Sequence, residues 1–235
     1  MIRFKSTTRD SWISLADYVA SMKDGQDAIY YISGDSIEVL SKSPQLEGFA
    51  AKGVEVLYMT DPVDEFWLTN ITEFKEKPFK SVTRGGADLG AINKTESDNT
   101  EEDKKEDGGD GVDETVSALI TALKETLGEQ VADVRKSDRL TSSPCCLVVE
   151  DGAIDMHLER LLKQHHQHKG GSAPRVLEIN PDHVLIKALA ANATADISDS
   201  AHLLLDQARI IEGESPIDPQ SFVQRMAEVM TKAMA

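Results

Sequence analysis

Apolar residues in the first part of the chain alternate between helical and extended spacing. Residues 15–22 (LADYVASM) place apolar side chains three and four positions apart, which is typical of an amphipathic helix. Residues 28–33 and 54–60 are short continuous apolar runs, which are typical of buried strands. Alternation of this kind predicts parallel strands joined by helical crossovers, that is, an α/β layer.

Two helix starts in this region are marked by a capping residue followed by proline. Ser43 precedes Pro44, and Asp61 precedes Pro62. A serine or aspartate side chain can accept a hydrogen bond from a free amide of the first turn, and proline suits the first helical position because it has no amide hydrogen to satisfy. We therefore expect a helix over residues 44–51 and another that directly follows the strand 54–60.

A strongly acidic segment separates the two halves of the chain. Residues 93–113 (NKTESDNTEEDKKEDGGDGVD) contain nine acidic residues, three lysines and almost no apolar side chains. Such a composition cannot bury enough apolar surface to offset the entropy lost on ordering. We interpret it as a flexible linker that separates a first domain, residues 1–92, from a second domain, residues 114–235.

The second half opens with a helical stripe and continues with apolar runs of strand length. The stripe ends before Gly128, a helix-terminating residue, and consists of Val116, Leu119, Ile120, Leu123 and Leu127. We expect strands over 131–137, 145–150 and 175–180 and helices over 154–166 and 183–191. This order of elements predicts an α+β domain.

Two helices are expected at the end of the chain, over residues 197–212 and 219–234. Gly213 ends the first, and Asp218 followed by Pro219 begins the second. Their apolar residues are too many for two antiparallel helices to hide, which favours a homodimer in which the paired hairpins form a four-helix bundle. The residues expected at this interface are Leu203, Leu204, Ala208 and Ile211 from the first helix and Phe222, Val223, Met226, Val229 and Met230 from the second.

Composition and charge narrow the classes of partner. The formal net charge of −16 disfavours binding to a phosphate backbone, so we do not expect nucleic acid as a partner. No apolar run approaches the length that spans a bilayer and the first residues lack a signal-peptide core, so we expect a cytoplasmic protein without a membrane partner. Cys145 and Cys146 lie in an apolar run and are expected to be buried, since adjacent cysteines rarely bridge.

Several strings resemble, in the same order, the small middle subdomain and the C-terminal domain of bacterial, HtpG-type members of the heat-shock protein 90 family. In the first domain they are residues 31–36 (YISGDS), 55–62 (EVLYMTDP) and 64–65 (DE). In the second domain they are residues 139–144 (RLTSSP), 178–183 (EINPDH), 204–208 (LLDQA) and 218–219 (DP), followed by Phe222, Arg225 and Met226. The resemblance covers nearly the whole chain outside the acidic segment.

The resemblance implies an α/β small middle subdomain followed by an α+β C-terminal domain that ends in a helical dimerisation hairpin. It also implies a stress-response chaperone that forms a homodimer, binds unfolded or partly folded client proteins and works with other chaperones. The family binds ATP and magnesium through an N-terminal domain that this sequence does not contain, so we expect no cofactor and no enzymatic activity in this chain. Client contacts are expected from an acidic and aromatic group, Glu65, Phe66 and Trp67, and from the apolar face of helix 154–166, namely Ile154, Leu158, Leu161 and Leu162.

Other kinds of site are less well supported by the residues. His165, His166 and His168 lie close together, but they have no nearby set of carboxylates or thiols, so we expect no metal site. An alternative to the chaperone is a dimeric scaffold that binds a small ligand near Thr60 and Asp61, beyond the end of a strand. The scaffold would show a deep polar pocket at that position, whereas a chaperone would show a wide apolar groove between protomers.

Overall fold

The computed structural model describes residues 2–85, 92, 109–150, 152–164, 175–192 and 197–234. The chain divides into two compact units. The first unit contains residues 1–101 and 149–173, and the second contains residues 102–148 and 174–235. Each unit has its own sheet, so the mixed α/β class expected from the sequence is confirmed.

The first unit is built on a five-stranded sheet with the order β1-β3-β2-β5-β4. Strands β3 and β5 both run parallel to β2, while β1 and β4 are antiparallel additions at the two edges. The expected parallel strands are therefore present. The strands are β1 (Lys5–Ser6), β2 (Ile29–Ser33), β3 (Leu57–Met59), β4 (Glu73–Phe74) and β5 (Lys77–Ser81), and the helices are α1 (Leu15–Ala20), α2 (Ile37–Leu40), α3 (Glu47–Ala51), α4 (Pro62–Leu68) and α6 (Met156–Gln164).

The central strand β2 separates two apolar cores because its successive side chains point to opposite faces of the sheet. Tyr30 and Ile32 pack on one face with Phe49. Ile29 and Tyr31 pack on the other face in the cluster that also contains Phe4, Tyr18, Leu57 and Met59. Both faces of β2 are covered, which explains why its sequence is a continuous apolar run.

The expected helix starts are confirmed by the hydrogen bonds of their capping residues. Asp61 accepts a hydrogen bond from the backbone N–H of Val63, and Asp64 reaches back to the N–H of Asp61, so α4 begins with a reciprocal capping box. The Ser43 hydroxyl accepts from the N–H of Gln45 at the start of a short 3₁₀ turn that leads into α3.

The second unit packs helices against a three-stranded sheet with the order β6-β8-β7. Strand β8 is parallel to β6 and antiparallel to β7. All three expected strands are present, together with the expected helices. The elements are α5 (Gly109–Leu127), β6 (Asp133–Lys136), β7 (Cys145–Val148), β8 (Val176–Ile179), α7 (Val184–Ala191), α8 (Ser198–Ile211) and α9 (Pro219–Met234).

Two boundaries differ from those expected. Helix α5 begins at Gly109, so residues 109–113 are helical, although the sequence assigned them to the linker. Residues 93–108 lie outside the described part of the chain. The segment 149–173, assigned by sequence to the second domain, groups instead with the first unit. Its Asp155 forms hydrogen bonds with Ser81 at the end of β5 and with Thr83.

Candidate functional site

Helix α6 is attached to the first unit through a buried carboxylate. Asp155 immediately precedes the helix, and its Oδ1 atom accepts a hydrogen bond from the backbone N–H of His157 at 3.0 Å, as a helix-capping residue does. Its Oδ2 atom accepts hydrogen bonds from the hydroxyl groups of Ser81 and Thr83, each at 2.6 Å. Asp155 is only 2% exposed, so the anchor is formed out of contact with bulk water.

A second set of polar contacts lies along the same helix. Asp35, which follows the end of β2, lies 3.3 Å from Nε2 of His157 and 3.0 Å from Nη2 of Arg160. Within the helix, the ammonium group of Lys163 lies 2.6 Å from the carboxylate of Glu159. Since Asp35 is largely exposed, we expect its ion pairs to contribute less to docking than the buried Asp155 does.

Several polar side chains are buried at and just before the start of α6. Asp155 and Glu159 are each 2% exposed and His157 is 7% exposed. In contrast, Ile154 is 42% exposed, and the three leucines expected to bind clients are only partly buried; these are Leu158, Leu161 and Leu162. Polar side chains together with the buried Met156 therefore form the packed side of this region, and part of the surface of each leucine remains accessible.

The two aromatic residues of α4 have different environments. Phe66 is 52% exposed. Trp67 is partly buried, donates a hydrogen bond from Nε1 to Asp64 at 2.9 Å, and packs with its ring 5.4 Å from that of Phe79. Phe66 is thus the accessible ring, and Trp67, expected as a client contact from the sequence, is mainly a core residue. Nothing is described for the side chain of Glu65.

A cavity of about 910 Å³ lies beside α4 in the first unit. Thr60 and Asp61 contribute to its lining, but most of the lining residues are apolar, among them Trp12, Trp67 and Phe74. Residues 60–64 therefore line a mostly apolar cavity, which differs from the deep polar pocket that a ligand-binding scaffold would show.

Helix α8 is a core element of the second unit. Leu204 is 1% exposed, and its carbonyl oxygen lies 3.4 Å from Sγ of Cys145 on β7. Leu203 and Ala208 are buried as well, so these three residues, assigned to the dimer interface from the sequence, are covered within the protomer. Of the four interface residues expected on α8, Ile211 is the exposed one.

Helix α9 is the opposite case, because none of its residues is buried. Val223, Val229 and Met230 are exposed, while Phe222 and Met226 are partly buried. All five lie on one side of the helix, as their spacing predicts. The expected interface stripe of α9 is therefore partly covered at Phe222 and Met226 and open at Val223, Val229 and Met230.

Two polar contacts fix α9 against α8 in an antiparallel arrangement. Asp206, which is buried in α8, accepts a hydrogen bond at 3.2 Å from the backbone N–H of Ile217 in the connector. Arg225 lies 3.1 Å from Asp199, the second residue of α8. Since residue 225 is level with the first turn of α8, residues 226–234 extend past the beginning of that helix.

A buried ion cluster and two buried thiols lie beside the sheet of the second unit. Glu178 on β8 lies 2.7 Å from Nη2 of Arg135 and 3.1 Å from Nε of Arg139, and it accepts a hydrogen bond from the Ser137 hydroxyl at 3.0 Å. Burial raises the pKa of the Cys145 thiol to about 12. The pKa of Cys146 is raised well above its ordinary value by burial and by the nearby Glu178 carboxylate. These groups therefore stabilise the unit and are poorly suited to nucleophilic chemistry.

The described residues provide no group of three or more histidine, cysteine or acidic side chains placed to hold a metal ion. The cluster of His165, His166 and His168 lies outside those residues. No helix within the described ranges is both long and apolar enough to cross a membrane.

The anchor at Asp155 is the feature of this site that the sequence does not indicate. An aspartate before an apolar stripe is a recognisable helix-capping signal. Its second oxygen, however, binds residues more than seventy positions earlier in the chain, and no local spacing predicts such a contact.

Comparison with known proteins places the whole chain in one family. The family model described as "Hsp90 protein" matches residues 1–235. Proteins named "Chaperone protein HtpG" from Paramagnetospirillum magneticum, Roseobacter denitrificans and Azorhizobium caulinodans are 54%, 52% and 49% identical to it, over 99–100% of this chain. The chain spans 37% of the length of each of these relatives. It therefore belongs to the heat-shock protein 90 family of chaperones and is of the bacterial HtpG type.

Proposed function

We propose that this chain serves a chaperone in two ways: it pairs with a second copy through α9 and the exposed end of α8, and it holds partly folded proteins on apolar surfaces of α4 and α6. The observation that supports the second role is the packing of α6, in which polar side chains such as Asp155 and Glu159 are buried while part of the surface of the leucines remains accessible.

The apolar side of α6 suits a partner without a fixed shape. Ile154, Leu158 and Leu161 recur at helical spacing, so they form one apolar side rather than a single anchoring point. Phe66 on α4 adds an exposed ring in the same unit. Exposed apolar groups among charged ones are typical of surfaces that bind other proteins, and unfolded chains offer apolar side chains in many arrangements.

The pairing role is supported by the open stripe of α9. An isolated helix of this length is marginally stable in water, so α9 needs tertiary contacts along its apolar side. A second copy can supply them by symmetry, and a pair of such hairpins would bury an interface on the order of 1,600 Å². The apolar residues at the far end of α9, Val229 and Met230, are the ones that α8 cannot cover.

We expect ATP to act through other parts of a whole family member. The sequence of this chain has no glycine-rich phosphate loop, and we assign no catalytic residue to it. Within this proposal the chain provides assembly and client holding, and the client proteins and the second copy are its partners.

The client-holding role can be tested by measuring how well the chain suppresses aggregation of a thermally unfolding enzyme. We expect the variants Phe66→Ser and Leu158→Ser/Leu161→Ser to suppress aggregation less well than the unmodified chain, because each removes accessible apolar surface. The matched control is Val39→Ser, since Val39 is an exposed apolar residue on α2 of the same unit. Equal suppression by all four proteins would refute the proposed surfaces.

A further inference from the structure

We propose that Asp155 is a positioning residue, which fixes the rotation of α6 so that the leucines stay accessible and thereby sets how strongly the helix binds a partly folded protein. The inference rests on the proposed client-holding role of α6. Asp155 itself is buried and would touch no client.

The anchor has the chemistry of a strong and directional contact. Ser81 and Thr83 are themselves nearly inaccessible to water, and both hydroxyl groups donate to the same carboxylate oxygen at 2.6 Å. Hydrogen bonds of a hydroxyl group to a charged carboxylate are short and stronger than those between neutral groups. The other carboxylate oxygen caps the first turn of α6 through the N–H of His157. One side chain therefore joins the start of the helix to the end of β5.

Backbone pairing alone would not set the rotation of the helix. The N–H of Gly85 donates to the carbonyl of Val149 at 2.8 Å, and the N–H of Val149 donates to the carbonyl of Thr83 at 3.1 Å. These bonds hold the chain six residues before Asp155, which fixes where the segment runs but leaves the helix free to turn about its own axis. The buried carboxylate at the helix start fixes that rotation, and the contacts of the exposed Asp35 with His157 and Arg160 add to it.

The competing arrangement is favoured by hydrophobicity. A helix with three leucines on it gains free energy by turning them toward a neighbouring apolar surface. In such a rotated state the carboxylate would leave its site, and the buried hydroxyl groups of Ser81 and Thr83 would lose this acceptor and keep only the 2.8 Å contact between them. Asp155 thus opposes the burial of the leucines, and its removal should decrease their availability although no leucine is changed.

The variant Asp155→Leu removes the anchor and adds an apolar group that favours the rotated state. Loss of a charged hydrogen bond shifts a two-state population by on the order of tenfold, so we expect client affinity to fall by about that factor. In Asp155→Asn the amide nitrogen can donate to both hydroxyl groups while the amide oxygen keeps the helix cap, so this conservative variant should restore most of the affinity. The variant Ser81→Ala/Thr83→Val removes the two donors of the contact and should lower client affinity about as much as Asp155→Leu does. A variant with all three substitutions should lower the affinity little further.

Two measurements test the proposal on the complete chain. The first is amide hydrogen exchange of residues 156–164, which reports the docking of α6. The second is affinity for reduced and carbamidomethylated α-lactalbumin, a permanently unfolded protein. We expect faster exchange confined to α6 and weaker binding in Asp155→Leu and in Ser81→Ala/Thr83→Val, and near-normal values in Asp155→Asn. If Asp155→Leu proves unstable, the milder Ser81→Ala/Thr83→Val variant decides the matter alone.

The positioning role would be overturned if amide exchange in α6 stayed unchanged in Ser81→Ala/Thr83→Val and in a folded Asp155→Leu. It would also be overturned if exchange became faster while client binding stayed the same or became tighter. Leu161→Ser separates this failure from that of the proposed function, because it removes client contact and leaves the anchor intact. Unchanged affinity in Leu161→Ser would overturn client binding by α6, while the exchange data would still decide whether Asp155 positions the helix.

Discussion

A carboxylate placed on the open side of α9 should separate the proposed dimer without unfolding the protomer. Met230 is 58% exposed and lies in the part of α9 that extends past α8. The substitution Met230→Asp removes no buried contact, so the free energy of protomer unfolding should change by no more than about 0.5 kcal/mol.

The effect on pairing is much larger because the change occurs twice in a symmetric interface. Burial of the exposed part of one methionine contributes about 1–2 kcal/mol, so two copies account for about 2–4 kcal/mol. Desolvation of two carboxylates without counter-charges raises the total to about 3–6 kcal/mol, which weakens dimerisation by roughly a hundred- to ten-thousandfold.

Light scattering coupled to size exclusion gives the mass in solution, and circular dichroism reports the fold. We expect Met230→Asp to be a folded monomer at micromolar concentration. Val184→Asp is the matched control, because Val184 is 81% exposed on α7 of the same unit and should tolerate the charge with no change of mass. Leu204→Asp, in contrast, should unfold the second unit, since Leu204 is buried within the protomer. If Met230→Asp and Val229→Asp both remain dimeric, the interface lies elsewhere.

Further predictions concern stability, reactivity and nucleotide. Substitution Glu178→Ala removes a buried carboxylate that lies beside the guanidinium groups of Arg135 and Arg139, so urea denaturation should show that the free energy of unfolding falls by about 3–5 kcal/mol; a change below experimental error would show that the cluster is not needed. Because burial raises the pKa values of Cys145 and Cys146, a thiolate-directed reagent at neutral pH should react with them only after denaturation, and rapid labelling of the native chain would contradict this. Calorimetry with ATP and magnesium should detect no binding to the chain, whereas micromolar affinity would contradict our assignment of nucleotide chemistry to other parts of the family's proteins.

The elements that the sequence predicted well are those with local signals. Strand β2 and helix α4 were identified because an apolar run and a capping residue before proline are visible within a few positions. The stripe of α9 was identified for the same reason. Such signals depend only on residues that are close in sequence, and the structure contains the local elements that they predict.

Strands β4 and β5 were missed because their turn lacks the usual signal. Lys75 and Glu76 have φ values of 50° and 61°, a left-handed conformation that hairpin turns normally reserve for asparagine or glycine. Pro78 and the lysines on either side of Phe79 further conceal the strand pattern of β5. A sequence with Asn-Gly at this turn would have indicated the hairpin.

The sequence showed that α8 carries more apolar residues than one side of a helix needs, but it could not show which surface covers them. Leu203, Leu204 and Ala208 cover more than one side of the helix, which fits an interface between copies or a central helix of one copy equally well. The spacing of apolar residues along a helix indicates which of them are buried. The surface that covers them is formed by residues distant in sequence, which the spacing does not identify. The same limit applies to Asp155, whose partners Ser81 and Thr83 lie across the acidic segment.

The discontinuity of the first unit affects the order in which the chain can fold as it is synthesised. Residues 1–101 leave the ribosome before residues 149–173 have been translated, although these later residues belong to the same unit. At about 5–20 residues per second, translation of the intervening residues delays completion by roughly 2–10 seconds. During that interval the hydroxyl groups of Ser81 and Thr83 have already been synthesised, but Asp155, whose carboxylate accepts their hydrogen bonds, has not. Until then the two hydroxyl groups can form a hydrogen bond only with each other or with water, so the last contacts of the first unit form after most of its sheet has been synthesised.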